Sequence, residues 1–361
     1  MAAPSTAIRL NPFKPSQAPA GEQVPWSKYG RILSERPNFT LDPLFHAGCY
    51  YVQDSSAMYV GYIFRKLVEG SGLKVLDLCA APGGKTTDIA ASLRETCGDD
   101  FTLVSNEVMK KRAAILKDNI GIWGDPNVLV SSVDPAIFGN KLPGYFDVIV
   151  ADVPCSGEGM FRKDERAEQE WSPAVVKLCA ERQQRILADV WPALKQGGIL
   201  IYSTCTYEDS ENDDNLEWAA QTLGGEIFTP TNEFESSGVR LTRHGNLLKA
   251  GEVPGEGQWV GALRKTSEAP RCRTKLEDAI SFLPAEPTDK ALSIKASDEP
   301  SVELDLQQAL KFLHRDSLYL PDAPKGLLVV KYQGHPLGYV KNLGSRANNL
   351  HPKNRRILMD I

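Results

Sequence analysis

Val75-Leu76-Asp77-Leu78-Cys79-Ala80-Ala81-Pro82-Gly83-Gly84-Lys85-Thr86-Thr87 decides the fold of this chain. An apolar, β-branched run passes through small residues and a glycine pair into a helix-forming stretch near Lys85. That is a strand, a tight turn and a helix. Small residues let a ligand approach the backbone, and the start of the helix offers free N–H groups to an anionic group. It is neither a Walker loop nor G-x-G-x-x-G, because the first glycine and the four-residue spacer are missing. On its own, a glycine turn after a strand names no ligand.

Outward from this turn, strand-like and helix-like segments alternate from Gly48 to Lys265, the signature of an α/β domain with a mostly parallel sheet. Strands are predicted at Lys74–Cys79, Phe101–Ser105, Val128–Val133, Asp147–Ala151 and Ile199–Tyr202, with Gln258–Leu263 closing the sheet. Unbroken apolarity marks the fourth as buried on both faces. Helices are predicted at Lys85–Leu93, Lys110–Asn119, Pro173 to Lys195 and Asp209 to Leu223. In the third of these helices Ser172 is the N-cap, Pro173 takes the first position, Pro192 kinks the last turn and Gly197-Gly198 stops it.

The chain divides into residues 1–47, too small for a core of their own, with a strand at Ile8–Leu10; 48–265, the α/β domain; 266–300, a linker with a helix around Leu276–Phe282; and 301–361, a small module. In the module, Ser301–Leu313 has helical spacing, and Gly326–Tyr332 and Leu337–Val340 read as strands. No apolar run approaches a membrane span, and no secretory signal opens the chain. Seven irregularly spaced cysteines make no disulfide framework, which implies a reduced, cytoplasmic protein. A net charge of −5 excludes a generic nucleic-acid coat, though not an enzyme with a local basic surface. From Lys331 to Met359 there are six basic residues and no Asp or Glu. Alone, such a run reads as a solvated face.

Chemistry collects at the strand ends. Glu107 ends strand two, 23 residues after Gly84, where a carboxylate can accept from ribose hydroxyls. Asp134 ends strand three and is placed for a base edge. Strand four runs into Asp152-Val153-Pro154-Cys155-Ser156-Gly157-Glu158-Gly159, and strand five into Tyr202-Ser203-Thr204-Cys205-Thr206. Cys79, Cys155 and Cys205 therefore share one rim. With no C-x-x-C pair and no nearby histidine, a zinc site is disfavoured and no metal is expected.

D-L-C-A-A-P-G-G-K-T, D-x-P-C-S-G-E-G-x-x-R-K-D and Y-S-T-C-T together resemble the Sun-type RNA (cytosine-5)-methyltransferase family. Ile8-Arg9-Leu10-Asn11-Pro12-Phe13-Lys14 is similar to its L-R-x-N-x-x-K segment, and His46–Ser56 to its G-x-x-Y-x-Q-(D/E)-x-S segment. The likeness covers about residues 8–265. Gly-Glu-Gly and the tail Pro336–Asn342 most resemble the bacterial branch that methylates small-subunit (16S) ribosomal RNA. Relatives carry a longer helical segment before L-R-x-N; seven residues precede it here, so the segment is shortened.

The resemblance implies a Rossmann-like class I methyltransferase sheet with a C-terminal RNA-binding module, acting as a monomer on RNA, naked or within the small subunit. S-adenosylmethionine would lie on Cys79, Ala80, Ala81, Pro82, Gly83, Gly84 and Lys85, with Glu107 on its ribose, Asp134 on its adenine, and Asp152 between cofactor and base. Cys205 would be the nucleophile and Cys155 the group that frees the product. A thiolate adding at carbon 6 of cytosine activates carbon 5, one hard step becoming several easier ones. The helix expected from Asp209 would lend its N-terminal field to Cys205, and a protonated Asp152 near N3 would draw charge out of the ring. The base must leave its stack to reach such a rim, which favours loop or single-stranded RNA. Arg162 and Lys163, with Lys341, Arg346, Lys353, Arg355 and Arg356, are the expected phosphate contacts. The rival readings are a transfer RNA cytosine-5 methyltransferase, a DNA methyltransferase with Cys155 as nucleophile, and a catalytically idle RNA-binding assembly factor.

Overall fold

The computed structural model describes residues 5–163, 165–228, 232–295 and 298–360. Its central sheet contains strands β1 (Leu73–Asp77), β2 (Phe101–Asn106), β3 (Val128–Ser131), β4 (Phe146–Asp152), β5 (Leu194–Thr204) and β6 (Gln258–Lys265). The spatial order is 3-2-1-4-5-6; the first five are parallel and β6 is antiparallel to β5. Short strands Gly245–Leu248 and Arg240–Leu241 extend the sheet beyond β6. Helices α1 (Met58–Leu67), α2 (Gly84–Cys97) and α3 (Lys110–Trp123) bury Ile63, Ile89 and Leu116 against one face. On the other face, α4 (Pro135–Lys141), α5 (Pro173–Val190) and α6 (Asp213–Ala219) bury Phe138, Leu187 and Leu216. This is a doubly wound sheet whose strand order reverses between β1 and β4, where a crevice opens at the carboxyl ends.

Three elements differ from their sequence reading. Helix α5 starts as expected, with Ser172 Oγ accepting from Val175 N, but it ends at Val190 rather than near Lys195. Pro192 has no N–H to continue the ladder, so Trp191–Ala193 form a 3-10 turn and Leu194 already belongs to β5. Gly197-Gly198 therefore lies within a strand. The segment expected as one helix from Asp209 to Leu223 has three parts: a 3-10 turn at Asp209–Glu211, α6, and a π turn at Ala220–Gly224. The first break falls at Asn212, whose side chain is tied back to Thr204 and Thr206. Helical spacing from Ser301 overstates α7 (Leu306–Leu313): Asp305 and Gln308 form a capping box that fixes its start, and Ser301–Glu303 pairs as a strand instead.

Around the sheet, strand Thr6–Leu10 pairs with Gly30–Leu33 and Tyr50–Val52. It docks through its polar side chains. Arg9, fully buried, donates to Gln53 and lies 4.8 Å over the Trp123 ring. Asn11 and Lys14 donate to the carbonyls of Trp123 and Ile122, capping the C-terminal end of α3 from outside. The L-R-x-N-x-x-K stretch is thus built into the fold. The C-terminal module pairs β7 (Gly326–Tyr332) with β8 (His335–Asn342), flanked by Ser301–Glu303 and Ala347–Asn349. Its Phe312, Leu313 and Val340 share one apolar cluster with Ile8 and Tyr50 of the N-terminal sheet and Leu44 of the short helix Pro43–His46. Between domain and module, the chain forms a short helix at Leu276–Ala279, then runs along the sheet edge, where Leu283 N donates to Val130 O at 2.8 Å. Among the described residues no helix is long and apolar enough to cross a membrane.

Candidate functional site

At the carboxyl ends of β1 and β4 the turn of the opening sequence wraps the start of α2. Gly83 has φ +115°, and a Cβ there would meet Leu116 at 3.3 Å, so the turn needs glycine twice over. Thr86 Oγ1 donates to Asp77 Oδ2 at 2.6 Å. Burial pushes the Asp77 carboxyl up to about 7, opposed by that hydrogen bond and raised further by Asp152. Its Oδ1 is buried and has no partner, as is Oε2 of Glu107 apart from Arg112 Nη1 at 3.1 Å. Glu107 Oε1 accepts from Met109 N, which fixes the carboxylate at the strand end. The cradle and the two under-used carboxylate oxygens fit a ligand that carries hydroxyl and amino donors. Asp134 is exposed and caps α4, accepting from Ala136 N. Asn106, which no pattern in the sequence pointed to, knots the rim by bonding Leu78 O, Val133 O and Ser131.

Asp152 ends β4. Its Oδ1 accepts from Ser203 Oγ at 2.7 Å and Gln258 Nε2 at 3.3 Å, and its Oδ2 from Lys85 Nζ at 2.9 Å. Three donors converge on it, which makes this carboxylate an acceptor. Lys85, expected only beside the cofactor, spans from α2 to Asp152; burial pulls its ammonium down, but Asp152, then Cys205 and Asp77, outweigh it and hold the group charged.

Cys155 and Cys205 face each other, Sγ to Sγ 3.1 Å, and Cys205 N donates to Cys155 Sγ at 3.2 Å. All seven cysteines are free thiols. The neighbouring Cys205 sulfur, then burial, push the Cys155 thiol well up, so Cys155 keeps its proton. Cys79, half-buried, is likewise pushed up by desolvation and by Asp77. The N-terminal field expected from Asp209 is missing, because that segment is a single 3-10 turn carrying Asp209 and Glu211.

The peptide around Cys155 is clamped from both sides. Gln183 Nε2 donates to Pro154 O and to Glu211 Oε2, and Glu211 Oε2 also accepts from Ser156 N. Glu158 Oε2 accepts from Thr206 Oγ1 and Tyr207 N, and Gly159 N donates to Cys205 O, which latches the two cysteine loops together. A Cβ on Gly159 would come within 2.7 Å of Cys205 O. Gly-Glu-Gly was visible as a motif, but Glu211 and Gln183 act through tertiary contacts that no spacing announces.

Two expected phosphate contacts are otherwise engaged. Arg162 pairs with Glu256 at 2.9 Å and donates to Gly255 O; Lys163 pairs with Asp54 at 2.7 Å. They join the Gln53-Asp54-Ser55-Ser56 segment to the cysteine loops. Arg355 is also corrected: its side chain is 5% exposed and reaches Asp289 at 2.7 Å and Asp118 at 3.2 Å, tying the C-terminal module to α3. Lys341, Arg346, Lys353 and Arg356 are exposed.

A parallel sheet in this order, with the glycine turn and acidic strand ends at its switch point, defines a Rossmann-like methyltransferase, a class whose cofactor is S-adenosylmethionine. A family model described as 16S rRNA methyltransferase RsmB/F matches residues 66–252. Models of the N-terminal domain of 16S rRNA methyltransferase RsmF and of the methyltransferase RsmF PUA domain match residues 1–55 and 299–357. The chain belongs to the RsmB/F family. It is 35% identical over 308 residues to ribosomal RNA small subunit methyltransferase F of Pectobacterium carotovorum, covering 82% of this chain and 62% of that protein. With the protein of the same name from Escherichia coli O81 the identity is 32%, over 86% of this chain and 67% of the relative. The chain thus spans about three fifths to two thirds of these relatives. A solved methyltransferase homologue from Pyrococcus horikoshii superposes with a TM-score of 0.61 at 26% identity, covering 73% of this chain and 87% of that one.

Proposed function

We propose that the protein methylates carbon 5 of a cytidine in RNA, with small-subunit ribosomal RNA as the substrate class. The observation that carries this reading is the pair of thiols 3.1 Å apart beside the Lys85–Asp152 ion pair. The Cys79–Lys85 turn, with Glu107 at the ribose and Asp134 at the adenine, would hold S-adenosylmethionine, which would supply the methyl group. Cys205 bonds through Sγ to carbon 6 of the base, and the electron pair this releases makes carbon 5 nucleophilic. Asp152 accepts from the 4-amino group of the base and is held at the right angle by Ser203, Gln258 and Lys85. Once carbon 5 carries the methyl group, a water takes its proton to solvent, the C–H electron pair re-forms the ring double bond and the Sγ–carbon 6 bond breaks, returning Cys205 as the thiolate. Cys155, the protonated partner, assists this release by donating an S–H hydrogen bond to the departing Cys205 sulfur while keeping its own proton. The methyl group replaces one hydrogen, and both thiols end as they began. Bisulfite mapping of total RNA from cells with and without the gene tests the reading: one or more protected cytidines in small-subunit ribosomal RNA should vanish. Loss of protection only in transfer RNA would move the substrate, and no loss in any RNA would refute the reaction.

A further inference from the structure

Pro270-Arg271-Cys272-Arg273-Thr274-Lys275 lies outside every motif the methyltransferase reading uses. It crosses the sheet at the start of β4, on the rim away from the two thiols. The crossing is fixed: a Cβ on Gly144 would come within 2.3 Å of Pro270 O, Cys272 packs into the apolar cluster under β4, and Leu276 is buried. Cys272 is turned inward, while Arg271, Arg273 and Lys275 are exposed. Across a cleft of about 410 Å³ they face Lys74, at the start of β1, and Lys195, at the start of β5, with Tyr145 in the wall. Lys74 Nζ lies 4.2 Å from the Tyr145 ring centroid. Five cations meet there with two carboxylates, Glu277 and Asp147, and Asp147 is already taken by Lys195 and the Lys74 amide. Among the described residues Arg271, Arg273 and Lys275 form no ion pair.

We propose that this cleft is a second RNA contact, gripping the phosphates of a folded RNA at a distance from the target base; the proposal rests on the RNA reading above. Arg271 and Arg273 lie on the same cleft, and their planar forks suit phosphate oxygens. Tyr145 offers a face for a ribose or an unstacked base. Seven residues of β4 separate Tyr145 from Asp152, or about 23 Å at roughly 3.3 Å per residue. A short strand threaded through the thiol rim does not reach the cleft, so the substrate is an RNA whose second segment wraps the domain. Binding of the full chain to complete small-subunit ribosomal RNA, measured across a potassium chloride series, tests this. The triple variant R271A/R273A/K275A should bind about tenfold more weakly near physiological salt and lower the log–log salt slope by about two units. A control triple variant of equal charge change, K28A/K66A/K290A, should bind like the parent. Equal affinity and slope for the cleft variant and the parent would overturn the second contact while leaving the methyltransferase reading intact. Failure of the parent itself to bind the RNA would overturn both.

Discussion

Removing Arg355 should loosen the C-terminal module without touching the thiol rim. The guanidinium is 5% exposed and faces Asp289, 9% exposed, and Asp118, 22% exposed. Arg355→Ala leaves a nearly buried carboxylate at Asp289 without its partner. Breaking a buried pair from one side costs about 3–5 kcal/mol, and the partial exposure of Asp118 puts the expected loss at the lower end, about 3 kcal/mol. Because Arg355 bridges the module to α3 and to the segment before it, the loss should appear as undocking. Hydrogen exchange in α7 and β8 should accelerate before that of β1 and β4. A double-mutant cycle with Asp289→Asn in urea denaturation isolates the pair, and a coupling energy of about 2 kcal/mol is expected. A coupling below about 0.5 kcal/mol, the range of exposed surface pairs, would refute the clamp and return Arg355 to the set of free phosphate contacts.

Glu107→Ala should weaken S-adenosylmethionine binding by about 1.5–3 kcal/mol, roughly ten- to hundredfold, with little change in melting temperature; calorimetry giving equal affinity would displace Glu107 from the ribose. Burial, with His46, Arg355 and Arg315 adding to it against a hydrogen bond to Arg355 O, holds the His351 imidazole down at about 4, against 6.5 when unfolded. The unfolded chain therefore takes up the proton first as pH falls, and about 3 kcal/mol of stability should be lost between pH 6.5 and 4. His351→Gln should flatten that slope, and an unchanged slope would contradict it. Glu211→Ala strands Ser156 N–H and one Gln183 N–H, each costing about 1–3 kcal/mol, and should slow product release per folded molecule. Glu211→Gln should restore release; a variant with lower stability but normal turnover would make Glu211 structural only.

Much of the fold was legible because its signals are local. The apolar run of β4, the glycine turn before α2 and the Ser172-Pro173 start of α5 each depend on neighbours in sequence. What the sequence misplaced depends on tertiary partners. The end of α5 is set by Pro192 and not by the more conspicuous Gly197-Gly198, which instead lies within β5 where its register with β4 shifts. The break at Asn212 exists because Thr204 and Thr206 hold its side chain. At the site, acids and thiols at strand ends could be aligned from topology alone. Charge-bearing side chains could not be sorted into free and paired: Arg162, Lys163 and Arg355 look like a phosphate grip in one dimension and are ion-paired in three.

The central claim is that Cys205 forms the bond to carbon 6 and Cys155 releases the product. Denaturing gels of the protein incubated with small-subunit ribosomal RNA and S-adenosylmethionine test it most directly. Cys155→Ala should still attack and methylate, then stall, so a covalent protein–RNA band should accumulate. Cys205→Ala should give neither band nor methylation, because no thiolate remains to activate the ring. The double variant should behave as Cys205→Ala does. A covalent band in the Cys205 variant that disappears in the Cys155 variant would reverse the two roles and contradict the account.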